Sequence, residues 1–375
     1  MSRTTIDIHV LQTVPPSNVN RDDTGSPKTA IYGGVRRARV SSQAWKRATR
    51  TGFAGLIDPT DLGVRTKKVV DLVADHISVQ APELADEAAD LAVTVLTAAG
   101  ITVTSPRARR GETPGTAEVG YLLFLSVRQA QQLAELAIEA HNTGIPTSKK
   151  AAKNAADTGH GIDVALFGRM VADATDLNVD AAAQVAHAIS VHAVDNEYDY
   201  FTAVDDKAPE DNAGAGMIGT VEFNSSTLYR YATVNVDALH KTLGNTAATA
   251  LATSAFIRSF VTSMPTGKQN TFANRTLPDA VVVTIGDGQP VNLVGAFEEA
   301  LVASSGATRL SDAARRLTEH SQEIDEAFGS SAVATFVVHV GQSTASLTAL
   351  GARVSFDALL AGVAAAVAQR LPATT

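Results

Sequence analysis

The chain has 375 residues, 45% of them hydrophobic and 19% charged, which is enough apolar material for two domains or for one core domain with large insertions and argues against wholesale disorder. It contains no cysteine, so disulfides, thiolate catalysis and sulfur-ligated metals are excluded together, as fits a reducing compartment. The net charge of −8 is unevenly spread: between Asp23 and Asp58 there is no acidic residue but seven basic ones, Lys28, Arg36, Arg37, Arg39, Lys46, Arg47 and Arg50, so removing this +7 stretch leaves the remainder at −15. Such a concentration of cations on an acidic protein is built for a polyanion such as nucleic acid. Met1-Ser2-Arg3-Thr4-Thr5 leads straight into a strand pattern with no apolar signal core, and no later run is long enough to span a bilayer; the expectation is a soluble, cytoplasmic protein without a membrane partner.

Ile6, Ile8 and Val10 alternate with Asp7 and His9, predicting a strand with one buried face. Turn formers from Pro15 to Pro27, followed by Gly33-Gly34, predict a long irregular segment up to Ser41-Ser42. There a serine N-cap and the breaker-free run Gln43 to Thr51 predict a helix with Gln43, Lys46 and Arg50 on one face and Ala44, Trp45 and Ala48 turned toward protein. From Lys67 to about Gly144 the pattern is mostly helical, interrupted by an exposed linker from Ser105 to Thr116. Thr147 to Gly161, with Lys149, Lys150 and Lys153, reads by itself as a solvated surface.

Gly161 to Met170 predicts a short apolar strand ending in an exposed Gly168-Arg169-Met170, and Val179 to Val194 predicts a helix. The composition then shifts. Asp195 to Gly219 mixes Tyr198, Tyr200 and Phe201 with acidic residues and glycines, a segment unable to bury itself and expected to form a projecting hairpin or arm. Further strands are predicted at Tyr229 to Val236, Val281 to Ile285 and Ala334 to His339. Helices are predicted near Thr246 to Thr262, Asn292 to Ser304, Ser311 to Phe328 and Phe356 to Arg370.

Gly214-Ala215-Gly216-Met217-Ile218-Gly219 matches a dinucleotide fingerprint in letters only, because acidic loop precedes it and a strand-like run follows where a helix is required. Gly267-Lys268 lacks the upstream glycine of a phosphate loop, leaving Lys268 as a single phosphate contact. Asp22-Asp23 and Asp205-Asp206 are candidate metal-binding carboxylate pairs, though adjacent acids more often cap turns or pair with arginines. No histidine set has ligand spacing, no nucleophile and base stand together, and neither a metal nor a cofactor is expected. The strongest signal is the cationic helix start, where the amides of Ser42 and Gln43 and the surrounding arginines would meet phosphates. Met170, Tyr200 and Phe201 flank loops where apolar side chains find use only if something, such as an unstacked base, packs on them.

Asn20-Arg21-Asp22-Asp23, Ala30-Ile31-Tyr32-Gly33-Gly34, Arg36-Arg37-Ala38-Arg39-Val40-Ser41-Ser42-Gln43 and Lys46-Arg47-Ala48 closely resemble the CasC-type backbone subunit of the type I-E CRISPR Cascade complex. Asp163 to Met170, Asp199 to Asp206 and Tyr229-Arg230-Tyr231-Ala232 resemble the same family in the same order. The resemblance implies an α+β fold: a modified ferredoxin-like, RRM-like palm (1–66, 161–193 and 226–375), a helical fingers insertion (67–160) and a projecting thumb hairpin (194–225). It further implies a non-enzymatic protein that assembles with other copies of itself along CRISPR RNA, beside other Cascade subunits, and presents the guide in segments for pairing with target DNA. The family's RNA contacts fall on Lys28, Ser41, Gln43, Lys46 and Arg50, with Arg36, Arg37, Arg39, Ser42, Arg169 and Lys268 as further candidates. Met170 matches a wedge beside a displaced base, with Tyr200 and Phe201 near it, and Lys149, Lys150 and Lys153 match lysines that meet target DNA. The competing reading is a metal-dependent phosphodiesterase using Asp22 or Asp23.

Overall fold

The computed structural model describes residues 3–104, 116–203, 217–302, 306–330 and 332–372. The 105–115 part of the expected linker, Asp205, Asp206, Gly214 and Gly216 lie outside the described residues. Two units are distinguished: one of Met1–Phe53, Gln184–Asn235 and Thr253–Arg370, and one of Ala54–Ala183, Val236–Ala252 and Leu371–Thr375.

The first unit is a large mixed sheet with helices. Its centre is β1 (Thr5–Ser17), flanked by the antiparallel strands Ala280–Gly286 and Met217–Asn235. From one edge the order runs Ala352–Arg353, Ala334–His339, Ala280–Gly286, β1, Met217–Asn235, Ala188–Ser190, β3 (Val35–Val40) and β2 (Thr29–Tyr32). Alternation places Ile6, Ile8 and Val10 on one face of β1, all fully buried, each stabilising the fold by about 2 kcal/mol. The opposite face is not the solvated one that the alternation predicts. Asp7 and His9 are buried there under the helix Arg309–Phe328, in a strand covered on both sides.

The segment after β1 is more ordered than its turn residues imply. Gly33 and Gly34, at φ +58° and +76°, make the two-residue turn that joins β2 to β3, and a Cβ on Gly33 would overlap the Glu298 carbonyl oxygen. α1 (Ser42–Thr51) begins where the N-cap rule places it, with the Ser41 hydroxyl accepting from the Ala44 amide.

Other expectations are corrected. Gly161 to Met170 is not a strand: Ile162–Phe167 is a buried helix ended by Gly168. Val179 to Val194 is not a helix but contains the short strands Ala183–Val185, paired with Met217–Asn235, and Ala188–Ser190, paired with both Leu228–Tyr229 and Arg39–Val40, and this pairing overrides the helix propensity of an alanine-rich run. Among the described residues of Asn292 to Ser304 the helical part is a short 3-10 helix, Leu293–Phe297.

The second unit packs the helices Val69–Gln80, Ala88–Ala98, Val127–Thr143 and Lys149–Asp157 around a core that includes Val70, Val73, Ile77, Leu96 and Leu133. Two short ribbons, Gly63–Thr66 with Leu123–Ser126 and Val103–Thr104 with Glu118–Val119, accompany them. No described helix is long and apolar enough to cross a membrane.

Candidate nucleic-acid interface

The cationic helix is seated by the one tryptophan of the chain. Trp45 has no exposed surface, and the Arg230 guanidinium lies 3.8 Å from its ring centroid and 4.5 Å from that of Phe260. Arg230 donates to the Gln12 side-chain Oε1 at 2.6 Å and to the Phe260 backbone carbonyl, and burial pushes its pKa down to about 9. With Trp45 locked to the sheet, Gln43 and Arg47 are left exposed and Ser42, Lys46 and Arg50 half-exposed along α1.

Asn20 ties the preceding loop to this helix: its side chain accepts from the Ser41 amide at 2.9 Å and its carbonyl from the Lys28 amide at 2.8 Å. The Lys28 carbonyl in turn accepts from the Arg39 amide. Asp22 holds the loop in shape. Its carboxylate accepts from the Thr24 amide and hydroxyl and from the Ser26 amide, and the Thr24 bond leads the causes that hold its pKa below the usual carboxylate value. Asp23 is exposed beside it. Among the described residues no three His, Asp or Glu side chains group as a metal site. Lys268 stands next to Gly267, where a Cβ would come within 2.2 Å of the Val19 carbonyl oxygen, so its backbone is held against the same loop in a left-handed conformation at φ 48°.

Of the arginines in β3, Arg36 is exposed and Arg39 half-exposed, but Arg37 is internal. Its guanidinium donates to the carbonyls of Tyr32, Ser190, Phe297 and Glu298 at 2.9–3.1 Å, which spends its donors on the turn and the neighbouring strand. Sequence reasoning counts Arg37 with the phosphate contacts as one of a cluster of cations, and strand alternation, which sets it on the side of Arg39 and away from Ala38 and Val40, gives no signal against it. The same reasoning missed His187, placed on a helix in the sequence reading. It lies exposed between two short strands, with Nδ1 at 3.3 Å from both the Ser42 amide and the Arg39 guanidinium, at the N-terminus of α1.

Glu197–Ala203 pairs with Met217–Phe223, so the long strand Met217–Asn235 continues past β1 as a hairpin of about 23 Å. Tyr198 and Tyr200 are exposed on it, whereas Phe201 lies on Gly219, where a Cβ would come within 2.5 Å of its ring. Gly219 is therefore a seat for an aromatic ring. Asn18 donates to the Glu222 carbonyl, which joins the root of the hairpin to the loop after β1, and Asn224 donates to the Asn196 side chain, which ties the two arms of that root together.

In the second unit a single arginine organises the candidate residues. Gly168, at φ +79° and with a Cβ position 2.9 Å from the Val179 carbonyl oxygen, turns the chain so that Arg169 points inward and Met170 outward. Arg169 is internal, contrary to its expected role as an RNA contact. It donates to the carbonyls of Leu177 and Ala156 and to the Asp157 carboxylate, and burial pushes its pKa down to about 10. Met170 beside it is 79% exposed. Lys149 and Lys150 are exposed in the first turn of Lys149–Asp157, and Lys153 pairs with Asp176.

The family model for CT1975-like protein matches residues 6–362. The chain belongs to the CT1975-like family. A chain of a solved structure described as a CRISPR RNA-guided surveillance complex, pre-nicking, is similar to this CT1975-like protein with 35% identity and a TM-score of 0.84, over 97% of this chain and 100% of that one. A second, from a CRISPR RNA-guided surveillance complex, has 29% identity and a TM-score of 0.71 over 96% and 99%. No curated protein sequence matches. These similarities agree with the resemblance to a Cascade backbone subunit read from the residues.

Proposed function

We propose that this CT1975-like protein is a non-enzymatic backbone subunit of a cytoplasmic CRISPR Cascade complex. It coats CRISPR RNA in multiple copies beside other Cascade subunits and presents the guide in segments for pairing with target DNA in antiviral defence. The observation that carries the reading is α1, a cationic helix fixed by Trp45 and Arg230 with its capped N-terminus and exposed Gln43 and Arg47 turned outward, preceded by the exposed Arg36 of β3. Backbone phosphates need that combination of fixed donors and mobile cations, and bases need none of it, so affinity is independent of sequence and the bases stay free to pair.

In this reading Lys28, Arg36, Arg39, Ser42, Gln43, Lys46, Arg50 and Lys268 serve the RNA backbone, while Ser41 caps the helix. The central antiparallel strands form a ferredoxin-like, RRM-like palm, the hairpin from Glu197 to Phe223 is the thumb, and the helices of the second unit are the fingers. Met170 is the wedge beside a displaced base, Tyr200 offers an exposed ring, and Phe201 stiffens the hairpin that carries it. Lys149 and Lys150 serve target DNA, and Lys153 does so by exchanging Asp176 for phosphate. The engagement of Asp22 within its own loop weighs against the phosphodiesterase reading.

The deciding experiment is purification of the native complex through this chain, with its mass, its nucleic-acid content and its cleavage activity measured in magnesium and manganese. Several copies per RNA without cleavage are expected. A free monomer, or RNA cut only while Asp22 and Asp23 are intact, contradicts the reading.

A further inference from the structure

The sheet face opposite α1 holds a cavity of about 440 Å³ between β1, Ala280–Gly286 and the helix Arg309–Phe328. One wall is apolar, from Val282, Leu293, Leu317 and Ile324. The other offers acceptors. Asp7 lines it with both carboxylate oxygens held in place, one by the Tyr231 hydroxyl at 2.7 Å and one by the Val291 amide at 3.0 Å. Asp287 and Asp325 also line it, the first paired with Arg370 and the second accepting from Ser330, and no lysine or arginine is among its described lining residues.

His9 supplies the second observation. It is 4% exposed, lines the cavity and contacts the Tyr229 hydroxyl through Nδ1 at 2.9 Å. The single hydroxyl proton of Tyr229 goes to the Asn292 side-chain oxygen, which can only accept, so Nδ1 of His9 carries the proton toward Tyr229. Nε2 is thereby a bare acceptor, and it has no partner among the described residues. Burial lowers the His9 pKa to about 3 and keeps the ring neutral in this role. A buried carboxylate and an unpaired ring nitrogen beside an apolar wall ask for a hydrogen-bond donor that carries positive charge on a short hydrocarbon stem.

We propose that this cavity binds a small primary amine, its ammonium held by Asp7 and His9 and its stem laid against Leu293, Leu317 and Ile324. The site lies on the other face of the sheet from α1 and does not depend on the RNA-binding reading.

The test is calorimetric titration of the RNA-free full-length chain with n-butylamine and putrescine, against n-butanol and butyrate. One saturable site per chain is expected for the amines, with butanol weaker and butyrate not bound. Asp7→Asn should lower amine affinity by at least ~10-fold by removing the charge that pairs with the ammonium. Ser321→Trp, which fills the cavity from its helix while leaving Asp7 and His9 themselves unchanged, should abolish binding. Absence of a saturable site, equal binding of butyrate, or amine binding unaffected by Ser321→Trp would each overturn the proposal, and these three remain decisive if Asp7→Asn does not fold.

Discussion

The two regions that carry the candidate contacts solve one problem by the same means. Around α1 and in the corner before Met170, one arginine is taken inside so that its neighbours can stand outside. Arg37 fastens the β2–β3 turn to Ser190 and Phe297, leaving Arg36 and Arg39 on the surface. Arg169 fastens the end of Lys149–Asp157 to the turn at Leu177, leaving Met170 on the surface. The outcomes differ in kind. The first region displays several interchangeable charges, the second one apolar side chain at a fixed place, so loss should be graded in the first and local in the second.

The largest effect is expected from the buried arginines, where truncation leaves carbonyls without donors. Arg169→Ala should destabilise by about 3 kcal/mol or more and Arg37→Ala by a similar amount, read as lower urea midpoints. Arg36→Ala, one residue away, should stay within about 0.5 kcal/mol of the parent. If Arg36→Ala and Arg37→Ala proved equally mild, the division of labour within β3 would be wrong.

Next comes RNA affinity. Lys46→Ala with Arg50→Ala should weaken RNA binding and flatten the slope of log affinity against log salt by about 1.4, the value for two phosphate contacts on a single strand. An unchanged slope would remove α1 from the interface. Met170→Ala is expected to leave RNA affinity within about twofold, as a surface change does, while reducing the extent of target-DNA pairing to the assembled complex. Equal losses of RNA and DNA binding would make Met170 structural and erase the contrast between the regions.

What could be read in the sequence followed from how local its cause was. Ser41 as N-cap, Trp45 as core and the helix Thr246–Thr262 are set by nearby residues and periodicity, and the structure contains all three. Arg37 and Arg169 were illegible because their partners are carbonyls, which composition does not reveal, and those of Arg37 extend to Ser190 and Glu298. The pair of short strands around His187 was illegible because each depends on a strand elsewhere in the chain for its hydrogen bonds. Of the candidate site, the cluster of charge was visible in the sequence; the separation of exposed cations from internal ones was not.

The smallest predicted effect concerns His187, and it reports directly on the helix start. Its pKa is lowered first by desolvation and then by the charges of Arg39 and Lys28. A phosphate arriving at the Ser42 amide would offset those charges and favour the imidazolium, so RNA binding would take up a proton. By linkage the complex then binds more protons than the free protein, and affinity rises as pH falls through the His187 titration. The slope of log affinity against pH is bounded at about −1 for one proton. His187→Gln keeps an acceptor for Ser42 and removes the titration, so RNA affinity measured across neutral pH should lose that slope while keeping its salt dependence. If the slope survives in His187→Gln, phosphate does not sit at the N-terminus of α1, and the contacts of the first region belong to the arginines of the turn rather than to the helix.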